Sequence, residues 1–439
     1  MRMELDLLKE SIPKVGFVGL SHLGLVTSTV LSSLGVKTLC FDFDENRFKE
    51  LRHSNNSISE PGLSELLEFS KRSQVFTSKL ADLSLCEIIY ISLDVETDDK
   101  GSSDMSFIRE YLFKVSKVAS KSILVILSQV YPGFTREISK LIPNEIYYQV
   151  ETLVFGEAIE RSKYPERIII GNSNGSNQVN SKYFQILNLY ACPILIYNYE
   201  TAELTKVSIN AFLASDVCLT NTLARLSEKI NASWNDVSEA LKLDKRIGEF
   251  RYLRPGLGIS GGNIERDLQT ISVLCKQNEV DFNLISSVIN VNSIHKSWVM
   301  YKLLELEVKN YSLLNIGIWG LSYKENTNSI KNSNSYFLIE KLYKQHSIHA
   351  HDPLVKIKDN RYQLTDDPIS MLSKIDVLII LTPWALYRKY FKSELLNSMR
   401  EKIILDPYKV LSGDFCKSLD IQYFTLGESS DAKGGIAIE

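Results

Sequence analysis

The sequence predicts an α/β protein, with two doubly wound halves joined by a helical middle. Three observations carry that prediction. A short apolar strand running into a glycine turn and then a helical pattern occurs twice, at Lys14-Val15-Gly16-Phe17-Val18-Gly19 and at Asn315-Ile316-Gly317-Ile318-Trp319-Gly320. After each, strand-length apolar runs alternate with helix-length segments. From about 200 to 300 the alternation gives way to helical periodicity. The expected domains are residues 1–200, 201–300 and 301–439.

In the first half, the opening strand is followed by a helical pattern through Leu34 and a stop at Gly35. A second strand, Val36 to Phe41, ends at Asp42. Further strands are expected at 87–93, 123–128, 145–149 and 167–171, in a parallel sheet covered on both faces. Glu200 to Lys229 reads as one proline-free helix. A further helical pattern is expected to begin near Asp267 and continue past 300. The second half then adds strands at Ile348–His351, Val377–Leu381 and Ile403–Leu405. The tail from Gly427 is rich in Gly, Ser and Asp, which predicts flexibility.

The chain has 439 residues, is 44% hydrophobic and 23% charged, and carries a net charge of −3, which gives no electrostatic case for nucleic acid or an anionic membrane as partner. Apolar runs are strand-length, so no membrane span is expected. The charged first ten residues do not read as a signal peptide. Six scattered cysteines without a CxxC pair predict reduced thiols and no metal site, consistent with a cytoplasmic protein.

Gly19-Leu20-Ser21-His22-Leu23-Gly24 stands between strand and helix, where a G-x-G-x-x-G dinucleotide turn is expected. Gly19 makes the tight turn and Gly24 lets the helix approach the strand. Ser21 takes the place of the middle glycine, which normally gives the pyrophosphate room. The helix N-terminus still offers free amides to phosphate. Asp42 ends the second strand 18 residues after Gly24. A carboxylate there accepts ribose hydroxyls and opposes a 2′-phosphate, so NAD is expected rather than NADP. The first half thus reads as a Rossmann-like domain.

Motifs along nearly the whole chain resemble the UDP-glucose/GDP-mannose dehydrogenase family. Glu60-Pro61-Gly62-Leu63 is similar to its E-P-G-L segment, and Asp99 to Ser106 to its D-G-S-x-D-L-S loop. Ser128 to Arg136 resembles S-T-V-P-x-G-T-T-R, and Glu203 to Ala214 resembles E-x-x-K-x-x-x-N-A-F-L-A. Asp244 to Gly248 matches D-x-R-I-G. Arg254 to Leu268 resembles the glycine-rich segment G-F-G-G-S-C-F-P-K-D-L, and Gly320 to Lys324 resembles G-L-A-F-K.

The resemblance implies two Rossmann-like domains joined by a helical central domain, which carries a homodimer interface over 200–230 and 267–305. It implies an NAD-binding first domain, a nucleotide-sugar-binding last domain, and oxidation of a sugar alcohol for surface polysaccharide. It makes Lys206, Asn210, Asp267 and Glu151 the catalytic polar set, with Asn263 at the position of the family's cysteine. It adds Ser128, Gln129 and Lys324 to the cofactor residues. The substrate set it implies is Glu151, Lys206, Asn210, Arg254, Gly258, Gly261, Gly262, Tyr323 and Lys324.

The departures from the family pattern cluster at the chemistry. Asn263 carries an amide, which cannot capture an aldehyde as a thiolate does. Asp94-Val95-Glu96 stands for P-T-P, Gln129 for threonine, Lys331 for arginine, and Tyr408 for the arginine of D-G-R-N. Two-electron oxidation is therefore the expected outcome. An epimerase that returns its hydride and a non-catalytic nucleotide-sugar binder remain the alternatives.

Overall fold

The computed structural model describes residues 12–52, 58, 60–97, 103–306, 313–390 and 398–429. The first eleven residues, residues 99–102 of the D-G-S-x-D-L-S-like stretch and residues 430–439 of the tail lie outside them. The chain divides into two compact units, Met1–Ile209 and Asn210–Glu439.

The first unit is built on an eight-stranded sheet. Its strands are β1 (Val15–Val18), β2 (Thr38–Phe41), β3 (Gln74–Thr77), β4 (Ile88–Ile91), β5 (Ile123–Ile126), β6 (Ile146–Gln149), β7 (Ile168–Asn172) and β8 (Ile194–Asn198). Their order is β8-β7-β6-β5-β4-β1-β2-β3. The order reverses beside β1, and its neighbour β4 carries the next loop, which is where such sheets bind ligands. β1, β2, β4 and β5 are buried throughout, as strands covered on both faces must be. Helix α1 (His22–Ser33) follows β1 and buries Leu25, Val26, Val30 and Leu31.

The expected all-parallel sheet needs one correction: β7 runs antiparallel to β6. An antiparallel neighbour needs no crossover, so the chain from 150 to 167 returns at the edge where β6 ends. β6 is aligned through β5 and β4 with β1, so this is also the edge of the Gly19 turn. The loop carrying Glu151 is thereby brought to the edge of the sheet that carries the Gly19 turn. β3 and β8 lie outside the expected strands. Both lie at sheet edges, with Val75 exposed on β3 and β8 only half-buried.

Helix α2 (Tyr199–Lys229) is 31 residues long and contains the division between the units. In the second unit it is followed by α3 (Trp234–Leu243), α4 (Asn263–Gln277), α5 (Asn283–Lys296) and α6 (Trp298–Glu305). The helical pattern expected from Asp267 past 300 is thus three helices, and it starts four residues earlier, at Asn263. It breaks where Glu279 takes a positive φ of 56° and again at Ser297. The second sheet comprises β9 (Asn315–Trp319), β10 (Ser347–His351), β11 (Gln363–Leu364), β12 (Val377–Ile380), β13 (Ile403–Leu405) and β14 (Gln422–Phe424). Its order is β11-β10-β9-β12-β13-β14, with every pairing parallel. Helix α7 (Asn334–Leu342) packs Leu338, Ile339 and Leu342 into its core.

Candidate active site

The first turn has the geometry of a dinucleotide cradle. Gly19 takes φ +92°, and a Cβ there would meet Leu93 at 2.8 Å. A Cβ on Gly24 would lie 1.9 Å from the Gly19 carbonyl, so only glycine lets α1 start this close to β1. Asp42 is 5% exposed. Its carboxylate accepts from the amides of Leu20 (2.6 Å) and Asp44 (2.9 Å). Burial raises its pKa. A carboxylate has about four acceptor positions, so two amides leave capacity for ribose hydroxyls.

The residues around this turn are tied down individually. His22 opens α1, lies 2.8 Å through Nε2 from Glu60 Oε2, and stacks on Phe155 with ring centroids 3.9 Å apart. Glu60 also accepts from the amides of Gly156 (2.9 Å) and Ala158 (2.8 Å), so it links the turn to the loop after β6. Leu23 is half-buried against the core. Ser21 does not cap α1; its hydroxyl donates to Asp94 Oδ1 at 2.9 Å. Ser128 is fully buried and donates to the Leu93 carbonyl at 2.7 Å. Its hydroxyl therefore shapes the neighbouring loop. Gln129 beside it is half-buried.

The second unit repeats the turn with a different outcome. Gly320 takes φ +99°, and Leu321 donates to Asp352 after β10, as Leu20 does to Asp42 after β2. Asp352 is saturated, however. It accepts from the amides of Leu321, Ser322, Leu354 and Val355, the Ser322 hydroxyl and the Trp384 indole. No helix begins at this turn; α7 starts only at Asn334. Residues Tyr323 to Asn332 instead reach the glycine-rich loop. Tyr323 lies against Gly261, where a Cβ would sit 3.3 Å from the ring, and Lys331 lies against Gly262. Asn332 donates to the Gly261 carbonyl at 2.7 Å. Lys324 stands beside Tyr323 in this unit, its ammonium 6.0 Å from the ring centroid.

The glycine-rich loop is held from several sides. Gly258 takes φ +78°, and a Cβ there would meet Asn292 Oδ1 at 2.5 Å. That oxygen already accepts from the Ile259 amide at 2.6 Å. Arg254 donates to the Tyr408 carbonyl at 2.9 Å, and Tyr408 fills the space beside Gly256. The loop delivers the chain into α4, whose first residue is Asn263, with an exposed side chain. One turn on, Asp267 is 2% exposed and accepts from Asn210 Nδ2 at 2.6 Å. Arg266 lies 3.6 Å from its other oxygen. In the first unit, Lys206 donates to the Glu151 carbonyl at 2.7 Å and stands 3.7 Å from its carboxylate. The sequence-derived polar set is thus found as two bonded pairs, Lys206 with Glu151 and Asn210 with Asp267. Lys206 and Asn210 occupy successive turns of α2. The local sequence does not point to Asn292 and Asn332 as parts of these arrangements, and Asp94 and Glu60 stand in it only as members of motifs.

Residues 13–190 match the UDP-glucose/GDP-mannose dehydrogenase family, NAD binding domain, residues 200–294 its central domain and residues 317–413 its UDP binding domain. The chain belongs to the UDP-glucose/GDP-mannose dehydrogenase family. It is accordingly an NAD-dependent oxidoreductase of the nucleotide-sugar dehydrogenase type, and NAD is its cofactor. The UDP-glucose 6-dehydrogenase of Rickettsia bellii is 27% identical over 432 residues, covering 94% of this chain and 99% of the relative. UDP-glucose 6-dehydrogenase TuaD of Bacillus subtilis is 25% identical over 434 residues, covering 94% and 93%. The fold is shared with a UDP-glucose dehydrogenase from Pyrobaculum islandicum (TM-score 0.83, 23% identity, 95% of this chain and 98% of that one). It is also shared with a UDP-D-ManNAc dehydrogenase from Pyrococcus horikoshii (TM-score 0.83, 20% identity, 95% and 100%). Among the described residues, no helix is long and apolar enough to cross a membrane.

Proposed function

We propose that this dehydrogenase oxidises the C6 alcohol of a UDP-hexose with NAD and stops at the aldehyde, after two electrons. The observation that carries this reading is Asn263. It opens α4 one turn before the buried Asp267, at the position the family gives to its nucleophile. An amide there forms no hemithioacetal, so the covalent capture that precedes a second oxidation is missing. The chain's other thiols are badly placed to substitute. Cys275 lies twelve residues further along α4, about 18 Å away along its axis. Cys218 is buried and donates to the Val288 carbonyl.

The first oxidation needs only groups this chain keeps. Lys206 brings an ammonium that stabilises a developing alkoxide. One carboxylate, Asp267 or Glu151, takes the alcohol proton through an ordered water, and Asn210 orients Asp267. Gly258, Gly261 and Gly262 give the sugar close backbone approach, and Arg254, Tyr323 and Lys324 grip the nucleotide end. Gly19, Ser21, His22, Leu23, Gly24 and Asp42 hold the cofactor, which accepts hydride when bound. Ser128 and Gln129 shape the loop beside that turn. Residues 1–200, 201–300 and 301–439 serve as the cofactor, dimerisation and nucleotide-sugar domains of a cytoplasmic homodimer that prepares sugars for surface polysaccharide.

The test is a panel of nucleotide sugars with NAD, counting NADH by absorbance. One NADH per UDP-hexose is expected. Two per sugar would sink the two-electron reading. Turnover without net NADH would mark an epimerase, and no turnover on any sugar would overturn the enzymatic assignment.

A further inference from the structure

The geometry points to Asp94 as an affinity-determining residue of the cofactor site, placing a negative charge at the turn that must receive the pyrophosphate. This inference rests on the reading that the Gly19 turn holds NAD. In a G-x-G-x-x-G turn the middle position gives the pyrophosphate its closest backbone approach. Here that position is Ser21, and its hydroxyl is turned away from α1 and donated to Asp94 Oδ1 at 2.9 Å. Two effects follow. The Ser21 hydroxyl is committed as a donor to a carboxylate instead of to a phosphate. In addition, the exposed Asp94 opposes the favourable partial charge of the α1 N-terminus with a full charge of the wrong sign for a dianionic pyrophosphate.

Nearby Asp42 cannot offset this charge. It is itself acidic, and it belongs to the ribose end. Arg47 bonds the Leu20 carbonyl through Nε and Nη2, at 3.1 and 3.0 Å, and its charge is shared with the Glu50 carboxylate, 3.5 Å from Nη1, and with Asp42. His22 is held against Glu60. The expected result is an NAD site that is selective at the ribose and loose at the pyrophosphate, favouring rapid exchange of the reduced cofactor.

Asp94→Asn keeps an acceptor for Ser21 and removes only the charge; Asp94→Ser is the second variant. Titrations of NAD, ADP and adenosine into wild type and both variants, at low and high salt, test the assignment. NAD and ADP should bind each variant about three- to tenfold more tightly at low salt, a gain that shrinks at high salt. Adenosine, which has no pyrophosphate, should bind all three proteins equally. NAD affinity unchanged in both variants, or adenosine changing in step with NAD, would overturn the role of Asp94 while leaving the cofactor site intact. If the wild type and both variants bind none of the three ligands, the cofactor reading of this turn fails and the inference falls with it.

Discussion

Asp42 and Asp352 end the second strand of their respective sheets, and each receives the amide of the leucine after a positive-φ glycine. What separates them is saturation. Asp352 spends its acceptor capacity on six protein donors, so its work is to fold the turn. Asp42 spends its on two amides. Asp42→Ala should therefore weaken NAD binding about tenfold, near the lower end of the about 1.5–3 kcal/mol of a charge-assisted bond, as measured by titration. Equal affinity of the unmodified protein for NAD and NADP would contradict the role. Asn263 supports the complementary test. Asn263→Cys restores a thiol at the start of α4 and should raise the yield from one NADH per sugar to two, with a thioester trapped on denaturation. If the yield stays at one, Lys331 against Gly262 and Tyr408 against Gly256 have already displaced the reacting carbon. The Asp42 and Asn263 readings were legible in the sequence, because each depends on a residue's place in a local motif. The Ser21–Asp94 bond was not, because it joins positions 73 apart that only the β1–β4 pairing brings together.

Helix α2 shows what periodicity alone reveals. One face buries Ala214, Cys218, Asn221 and Ala224. Another leaves Phe212, Leu219 and Leu226 exposed at 70%, 58% and 50%, seven residues apart. A straight line of large apolar side chains at heptad spacing is the seam a second helix covers. A two-fold pairing of α2 with its copy is the expected use, giving a homodimer of the 49.9 kDa chain. Phe212→Asp with Leu219→Asp should convert the dimer to monomer in light scattering without loss of helix content. A monomer already present in the unmodified protein at micromolar concentration would refute the pairing. The long helix could be read in advance because it is proline-free and uninterrupted. The breaks near Glu279 and Ser297 could not, since neither has a glycine or proline to mark it. β3 mixes polar and apolar residues over Gln74 to Thr77 and so gives no strand-length apolar run; β8 does give one, Ile194 to Tyr197, directly before the long helix, and is absent from the expected strands. The antiparallel direction of β7 is not visible in the sequence because a buried run such as Ile168 to Asn172 does not encode which way it pairs.

A buried carboxyl in the first unit and a buried imidazole in the second titrate in opposite senses. In the first, Glu203 is fully buried and accepts from the amides of Gly133 (2.6 Å) and Thr135 (2.8 Å). Burial raises its pKa from 4.5 to about 7. In the second, His351 is 3% exposed, with Nδ1 3.1 Å from the Tyr387 hydroxyl. Burial first, then the charge of Lys356, lowers its pKa from 6.5 to about 4. The linkage signs are opposite. Between 4.5 and about 7 the folded first unit binds more protons at Glu203 than the unfolded chain does, so this contribution falls as pH rises through that window. Between about 4 and 6.5 the unfolded chain binds more protons at His351, so that contribution is lost as pH falls. Acidification from about pH 7.5 to about pH 5 should therefore weaken the second unit relative to the first. Hydrogen exchange, corrected for intrinsic rates, should show protection falling in β9, β10 and β12 while the amides of Gly133 and Thr135 hold theirs. His351→Gln should flatten the first response. Glu203→Gln should remove the acid-side gain at the Gly133–Thr135 turn. Loss of protection in step across both sheets, unchanged by either variant, would show that other groups govern the acid response. Because each variant removes one proton-binding site, the two slopes can be assigned separately even where the rest of the chain titrates with them.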